Sequence, residues 1–227
     1  MFGDIAVPTG LENADPCTAR GCKWPRYRNG KVYVPYRITR GYSRRQRLEI
    51  QKAMRSFRYC SCIRFVPVKK RKDFLDIQPL TGCWSFIGRR GGGQLLSLAR
   101  PGCIHFGTIQ HELLHALGFN HELSRSDRDQ HVRILLQNVI SGEENNFNKV
   151  QTNNLNTPYD YNSVMHFGRY AYSWNRQPTI IPIPNKNVSI GRARKMSPND
   201  ILRVNRLYCG STAASSHLDP VQRNHFL

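Results

Sequence analysis

His111, Glu112, His115 and His121 are residue types that hold and use a metal ion, and they are spaced for that work. On a helix, residues four apart share a face, so His111 and His115 can aim both imidazoles at one ion. Glu112 adjoins the first of them and can reach a water at the metal as general base. A third nitrogen has to come from outside the helix, which requires the chain to reverse. Gly118 supplies the left-handed backbone for that turn, and His121 follows it. Three neutral His ligands leave Zn2+ an open position, the catalytic rather than the structural arrangement. An ion held in this way polarises a carbonyl and lowers the pKa of its water, the chemistry of peptide hydrolysis. Three His, one Glu and one Gly in this register arise by chance on the order of once in 10⁴ chains. Histidines that merely decorate a helix surface are therefore a poor account of the pattern.

The elements that must position these residues can be read on either side of them. Lys31 to Ile38 alternates as a strand, and Ser43 with Gln46 forms a capping signature for a helix running to Phe57. Cys62 to Pro67, Phe74 to Ile77, Gly82 to Gly88 and Gln94 to Leu98 follow as strands. Thr108 is expected to cap the metal-bearing helix and Gly118 to end it. Beyond Gly118 the chain is Asn-rich from Asn145 to Asn156 and Pro-rich from Pro178 to Pro184, so it reads as irregular. One late helix is predicted up to Tyr208, with Ser197 as N-cap and Pro198 in the first position. Met1 to Arg26 shows no periodicity, and the stretch after Cys209 carries no core signal and is expected to be disordered. The fold class that results is α+β.

Composition narrows the partners. Lys plus Arg number 34 against 15 acidic residues, a formal charge of +19. That balance suits nucleic acid, an anionic surface or an acidic protein matrix. Clusters such as Arg44-Arg45 and Lys69 to Lys72 are spread along the chain and read equally well as solvated surface. No nucleic-acid-binding motif accompanies them, and no apolar run is long enough to span a membrane, so neither partner is expected. The seven cysteines include no C-x-x-C pair, and six of them would make three disulfides, which implies an oxidising compartment. Asn187-Val188-Ser189 is an acceptable glycosylation sequon. Residues 1–20 contain no basic and apolar export signal, so the chain is expected to begin downstream of its natural start.

The pattern H-E-x-x-H-x-x-G-x-x-H with a later Met-containing turn, here Ser163-Val164-Met165-His166-Phe167, marks metzincins. Phe119, the run His121 to Asp129 and Tyr161-Asn162-Ser163-Val164-Met165 resemble the astacin family more closely, over about Cys17 to Cys209. Within that family, Cys17 with Cys22 and the stretch Met196 to Leu202 are most similar to fish hatching enzymes, the choriolytic proteases. The resemblance implies a two-lobed catalytic domain. Its N-terminal lobe would hold a twisted sheet with two long helices, and its C-terminal lobe would be mostly irregular with a late helix. It implies disulfides Cys62–Cys209, Cys83–Cys103 and Cys17–Cys22. Cys60 is then left over, as a buried free thiol or in exchange with Cys62. Trp84-Ser85-Phe86 would be the sheet edge that pairs with extended substrate.

The resemblance also implies how the enzyme is held and released. Gly3-Asp4-Ile5 resembles the zymogen motif whose Asp occupies the zinc, with Met1 where the family has Phe, which makes Asp4 the candidate inhibitory ligand. Residues 1–12 would be a propeptide remnant, 13–210 the peptidase domain and 211–227 a tail. The mature amino terminus, at Asn13 or Ala14, would pair with Glu122; Glu12 stands before it where the family has Arg. Phe167 stands where the family carries a Tyr that ligates zinc and stabilises the oxyanion, and Tyr170 and Tyr172 are the nearby phenols. The expectation is a secreted, monomeric zinc endopeptidase acting on an acidic extracellular or egg-envelope glycoprotein. The alternative is a weakened zinc-binding pseudoprotease or egg-coat binding protein, because Phe167 lacks the hydroxyl.

Overall fold

The computed structural model describes residues 4–6 and 21–210. In β2 (Val32–Ile38), Val32 and Val34 point inward with no exposure, which fixes the face the strand turns to the core. Helix α1 (Arg44–Cys60) starts where Ser43 Oγ accepts the Gln46 amide at 3.2 Å and Gln46 Oε1 accepts the Ser43 amide at 2.9 Å. Ile50, Ala53, Met54 and Phe57 form its buried stripe, at the spacing a helix face requires. Strands β3 (Ile63–Pro67), β4 (Phe74–Gln78), β5 (Cys83–Phe86) and β6 (Gly93–Leu98) follow, then helix α2 (Phe106–Ala116). With the short leader strand β1 (Ile5–Ala6) they form one sheet in the order β1-β5-β6-β4-β2-β3. Only the β5–β6 pairing is antiparallel. Helices α1 and α2 pack on each other, α1 against β3 and α2 against β5 and β6.

A second, smaller core begins after His121. Leu123, Val132, Val139, Phe147 and Ile180 gather around a ribbon of β7 (Val132–Ile134) and β8 (Ile180–Pro182), with Phe167 and Tyr172 at its edge. Helix α3 (Pro198–Val204) then returns the chain to the first core, where Val204 and Tyr208 are buried. Ser197 caps it reciprocally with Asp200. The Cys62–Cys209 disulfide ties this end to the start of β3, and Cys83–Cys103 ties β5 to the approach to α2. Cys60 is a free, half-buried thiol whose Sγ lies 3.4 Å from the Ser56 carbonyl. Cys22 is disulfide-bonded; Cys17, its expected partner, lies outside the described residues. So do the 1–3, 7–20 and 211–227 stretches, with Met1, Glu12 and the Asn13 boundary among them.

The α+β expectation agrees with this arrangement, and several local ones do not. Thr108 does not cap α2. The helix begins two residues earlier, with His105 in the cap position and no side-chain cap bond. What sets that end is packing: a Cβ on Gly107 would meet the Arg194 backbone at 2.8 Å, so glycine is required there. The Pro-rich segment contains β8 and the leader contains β1. Both are strands created by pairing with distant partners, which local composition does not reveal. The late helix ends at Val204 and passes into a wider turn over Asn205–Cys209.

Candidate metal centre and active site

Helix α2 is clamped at the end where its histidines sit. Its last carbonyls would be unpaired, and the tertiary structure pairs them. The Gly88 and Gly118 amides donate to His115 O at 2.9 and 2.8 Å, the Trp24 indole to Ala116 O at 2.8 Å, and the Tyr208 hydroxyl to Leu117 O at 2.8 Å. Gly118, at φ +99°, then reverses the chain and delivers His121.

The three rings converge from this turn. His111 Nδ1 donates to Val164 O at 2.7 Å and His115 Nδ1 to Phe119 O at 2.8 Å, since a carbonyl can only accept. Each Nε2 is thereby turned to the centre, where those of His111 and His115 stand 3.0 Å apart. Asp4 enters from the leader. Its carboxylate lies 2.6 Å from His121 Nε2, 2.9 Å from His111 Nε2 and 3.3 Å from His115 Nε2. Strand pairing carries it there: the Ser85 amide donates to Asp4 O at 2.9 Å, and Ile5 and Ala6 lie opposite Ser85 and Phe86. The strand at Trp84-Ser85-Phe86 therefore has β1 on its outer side and is second from the sheet edge.

The electrostatics of the cluster favour a cation. Burial works against charge on Asp4, yet the charges of His121 and His111 hold its carboxyl well below the usual carboxylate range. Burial also opposes charge on His111, but Asp4 raises it to about 9. His115, with no exposure, is pushed down to about 4, chiefly by burial. Although Asp4 is so close, His121 Nε2 has no partner at hydrogen-bonding angles. One proton cannot satisfy four converging donor atoms; a divalent cation can, and all four lie within 4.8 Å of one another. Three imidazoles and a carboxylate oxygen are a zinc donor set. Glu112 beside them is 1% exposed, and its Oε2 has no hydrogen-bond partner among the described residues. Burial first, and then the Asp4 charge, raises its carboxyl well above the usual range.

Residues outside the motif hold the site in place. Asp200 of α3 accepts from Ser163 Oγ at 2.6 Å and from the Val164 amide at 2.9 Å, fixing the turn whose Val164 carbonyl orients His111. Met165, 2% exposed, lies in that turn, and its carbonyl accepts the Glu122 amide at 3.0 Å. Glu122 is itself buried and engaged by Arg203 through Nη1 at 2.5 Å and Nη2 at 2.8 Å, with the Asp160 amide at 2.8 Å. A cavity of about 80 Å³ opens beside it, lined by His121, Glu122, Arg125, Asn154 and Arg203 among others. Phe167 packs on His121 at 4.3 Å between ring centroids. Sequence reading missed Asp200 and Arg203. The capping pattern from Ser197 to Asp200 marks the first as a helix residue only, and nothing local marks the second.

The comparisons agree with the geometry. The sequence profile of the Astacin peptidase family matches residues 21–209. High choriolytic enzyme 1 of Oryzias latipes is 50% identical over 210 residues, 92% of this chain and 77% of the relative. The astacin-like metalloendopeptidase of Mus musculus is 44% identical over 198 residues, 86% of this chain and 45% of the relative. The solved structure of high choriolytic enzyme 1, a hatching enzyme zinc-protease from Oryzias latipes, superposes with a TM-score of 0.83 at 51% identity. That match covers 86% of this chain and 98% of the other. With a donor set fit for zinc and a buried carboxylate beside it, the chain belongs to the astacin family of peptidases and is a zinc metalloendopeptidase.

Proposed function

We propose that this chain is the latent form of a secreted hatching-type endopeptidase in which Asp4 blocks the site that His111, His115 and His121 build. The observation that carries this reading is the Asp4 carboxylate lying against all three ring nitrogens, delivered by the β1–β5 pairing. When bound, zinc supplies a Lewis acid for the scissile carbonyl and for the attacking water. Glu112, buried and with its Oε2 unpartnered among the described residues, accepts the proton of that water and returns it to the leaving amine. Asp200 holds the turn that contains Met165 and orients His111. Once residues 1–12 leave, the outer side of β5 at Trp84, Ser85 and Phe86 is open to an extended substrate by strand addition.

The amino end of the processed chain would enter the cavity beside Glu122, whose carboxylate already carries Arg203, so the new cation joins an occupied pair. The oxidised cysteines support export to an oxidising compartment, and among the described residues no helix is long and apolar enough to cross a membrane. An acidic egg-envelope or other extracellular glycoprotein suits the +19 charge and the likeness to high choriolytic enzyme 1, and we take the working unit as a monomer. The test is casein and fluorogenic-peptide cleavage by the zinc-loaded chain and by Asp4→Ala. The variant is expected to cleave at least tenfold faster before any processing, with the activity lost to a chelator. Equal rates would sink the latency, and absence of chelator-sensitive cleavage in both would sink the assignment of roles.

A further inference from the structure

Hydrolysis at this centre, on the reading above, places a demand that zinc would share and that Glu112 and the histidines do not meet. As the water oxygen bonds to the carbonyl carbon, its proton passes to Glu112 and the C=O π pair moves onto oxygen. As the C–N bond breaks, that pair re-forms the carbonyl and the amine takes the proton back. In between, the oxygen carries negative charge, and a preorganised hydrogen-bond donor aimed at it is among the largest contributions an active site makes. The imidazoles turn lone pairs to the centre, Glu112 is the base, and Phe167, packed on His121, has no donor.

One phenol belongs to the aromatic cluster that packs beside His121. The ring of Tyr172 lies 5.8 Å from that of Phe167 and 6.2 Å from that of Phe147. The three rings form a wall that reaches His121 through Phe167. The Tyr172 hydroxyl makes no hydrogen bond to any described residue. Its backbone is at φ +54°, the left-handed region that a bulky side chain adopts only at a cost. The surroundings hold it there. The Ile140 amide donates to Tyr172 O at 2.8 Å, the Trp174 amide to Asn138 O at 3.1 Å, and Ser173 bridges Val139. A strained backbone locked on both sides of a tyrosine, whose hydroxyl has no partner among the described residues, is what a preorganised donor needs. Tyr170, two residues earlier, is 57% exposed and packs on none of these rings.

We propose that the Tyr172 hydroxyl donates a hydrogen bond to the scissile carbonyl oxygen as it takes on charge, a catalytic residue doing what Phe167 cannot. The phenol is neutral and keeps its proton for this purpose. Burial first, and then the nearby charges of Asp4 and Glu143, push its pKa up to about 12.

The experiment uses the zinc-loaded full chain carrying Asp4→Ala, so that the leader carboxylate is out of the way. Tyr172→Phe and, as control, Tyr170→Phe are added to it. Steady-state cleavage of a fluorogenic peptide is measured beside calorimetric binding of a phosphinic pseudopeptide, which mimics the charged tetrahedral carbon. Tyr172→Phe should lower kcat by about 10²-fold, near what loss of one oxyanion donor costs, with KM within about twofold. Its phosphinate affinity should fall at least tenfold, with zinc content and thermal midpoint unchanged. Tyr170→Phe should change none of these. Turnover and phosphinate affinity within twofold of the parent, or an equal loss in Tyr170→Phe, would overturn the assignment. A Tyr172→Phe protein that loses zinc or thermal stability along with turnover would assign the residue to packing instead, and equally overturn it. If the Asp4→Ala parent itself shows no chelator-sensitive cleavage, the underlying reading has failed separately.

Discussion

Arg203→Met tests whether the buried pair behind His121 supports both the fold and the metal site. Glu122 is 2% exposed and Arg203 7%, so neither charge can turn to water. Besides its two bonds to Glu122, Arg203 donates to Thr157 Oγ1 at 2.8 Å and to Pro158 O at 2.9 Å. Methionine fills the volume but leaves the Glu122 carboxylate with the Asp160 amide and an Arg125 guanidinium at 3.6 Å. Breaking a buried pair from one side costs about 3–5 kcal/mol, because an uncompensated charge stays inside. At about 2–4 °C per kcal/mol for a chain of this size, the thermal midpoint should fall by about 6–20 °C. Differential scanning calorimetry with the disulfides intact reads this directly. The double variant Glu122→Gln/Arg203→Met removes both charges of the pair and should recover most of the loss. Glu122 also adjoins His121 and donates its amide to Met165 O, so Arg203→Met should give up zinc to a chelator sooner than the parent. A midpoint within about 2–3 °C of the parent, or a double variant no more stable than the single, would refute this account.

Three further predictions follow from the same contacts. Glu112→Gln should keep zinc and fold while losing about 10²–10⁴ in kcat, checked by steady-state cleavage beside metal analysis; unchanged kcat would remove Glu112 as base. Asp200→Ala should release the Ser163–Val164 turn and weaken zinc affinity by about 10–100-fold, as loss of a supporting hydrogen bond does, measured by competition with a chromophoric chelator. Asp76 is held below the usual carboxylate range, first by its hydrogen bonds from Arg37. A depressed folded pKa gives stability that is present above the unfolded value of about 3.9 and is lost as pH falls through the folded one. Urea denaturation should therefore show Asp76→Asn less stable than the parent at pH 7, with the gap closing below about pH 4. A gap that widens on acidification would reverse the sign.

The metal site was legible in the sequence because its key spacing is local. His111 and His115 meet on one helix face whatever surrounds them, and Gly118 marks the reversal to His121 by its backbone freedom alone. The caps at Ser43 and Ser197 were legible for the same reason: donor and acceptor lie within one turn. The role of Thr108 was misread because the start of α2 is set by Gly107 against the Arg194 backbone, a contact no local pattern encodes. The roles of Asp200 and Arg203 were likewise out of reach of local reading, while Tyr172 stood out only as one of two phenols close to Phe167 in the chain. Each acts across a fold whose second lobe has little regular structure to predict.

By itself, then, the sequence determined three histidines and a glutamate in catalytic register, an α+β class and a strongly cationic surface. Asp4 could be singled out by resemblance, but only the tertiary structure decided that β1 would pair with β5 and set that carboxylate against all three rings. Helical spacing is built into the backbone. A strand only two residues long gets its place entirely from the edge it joins.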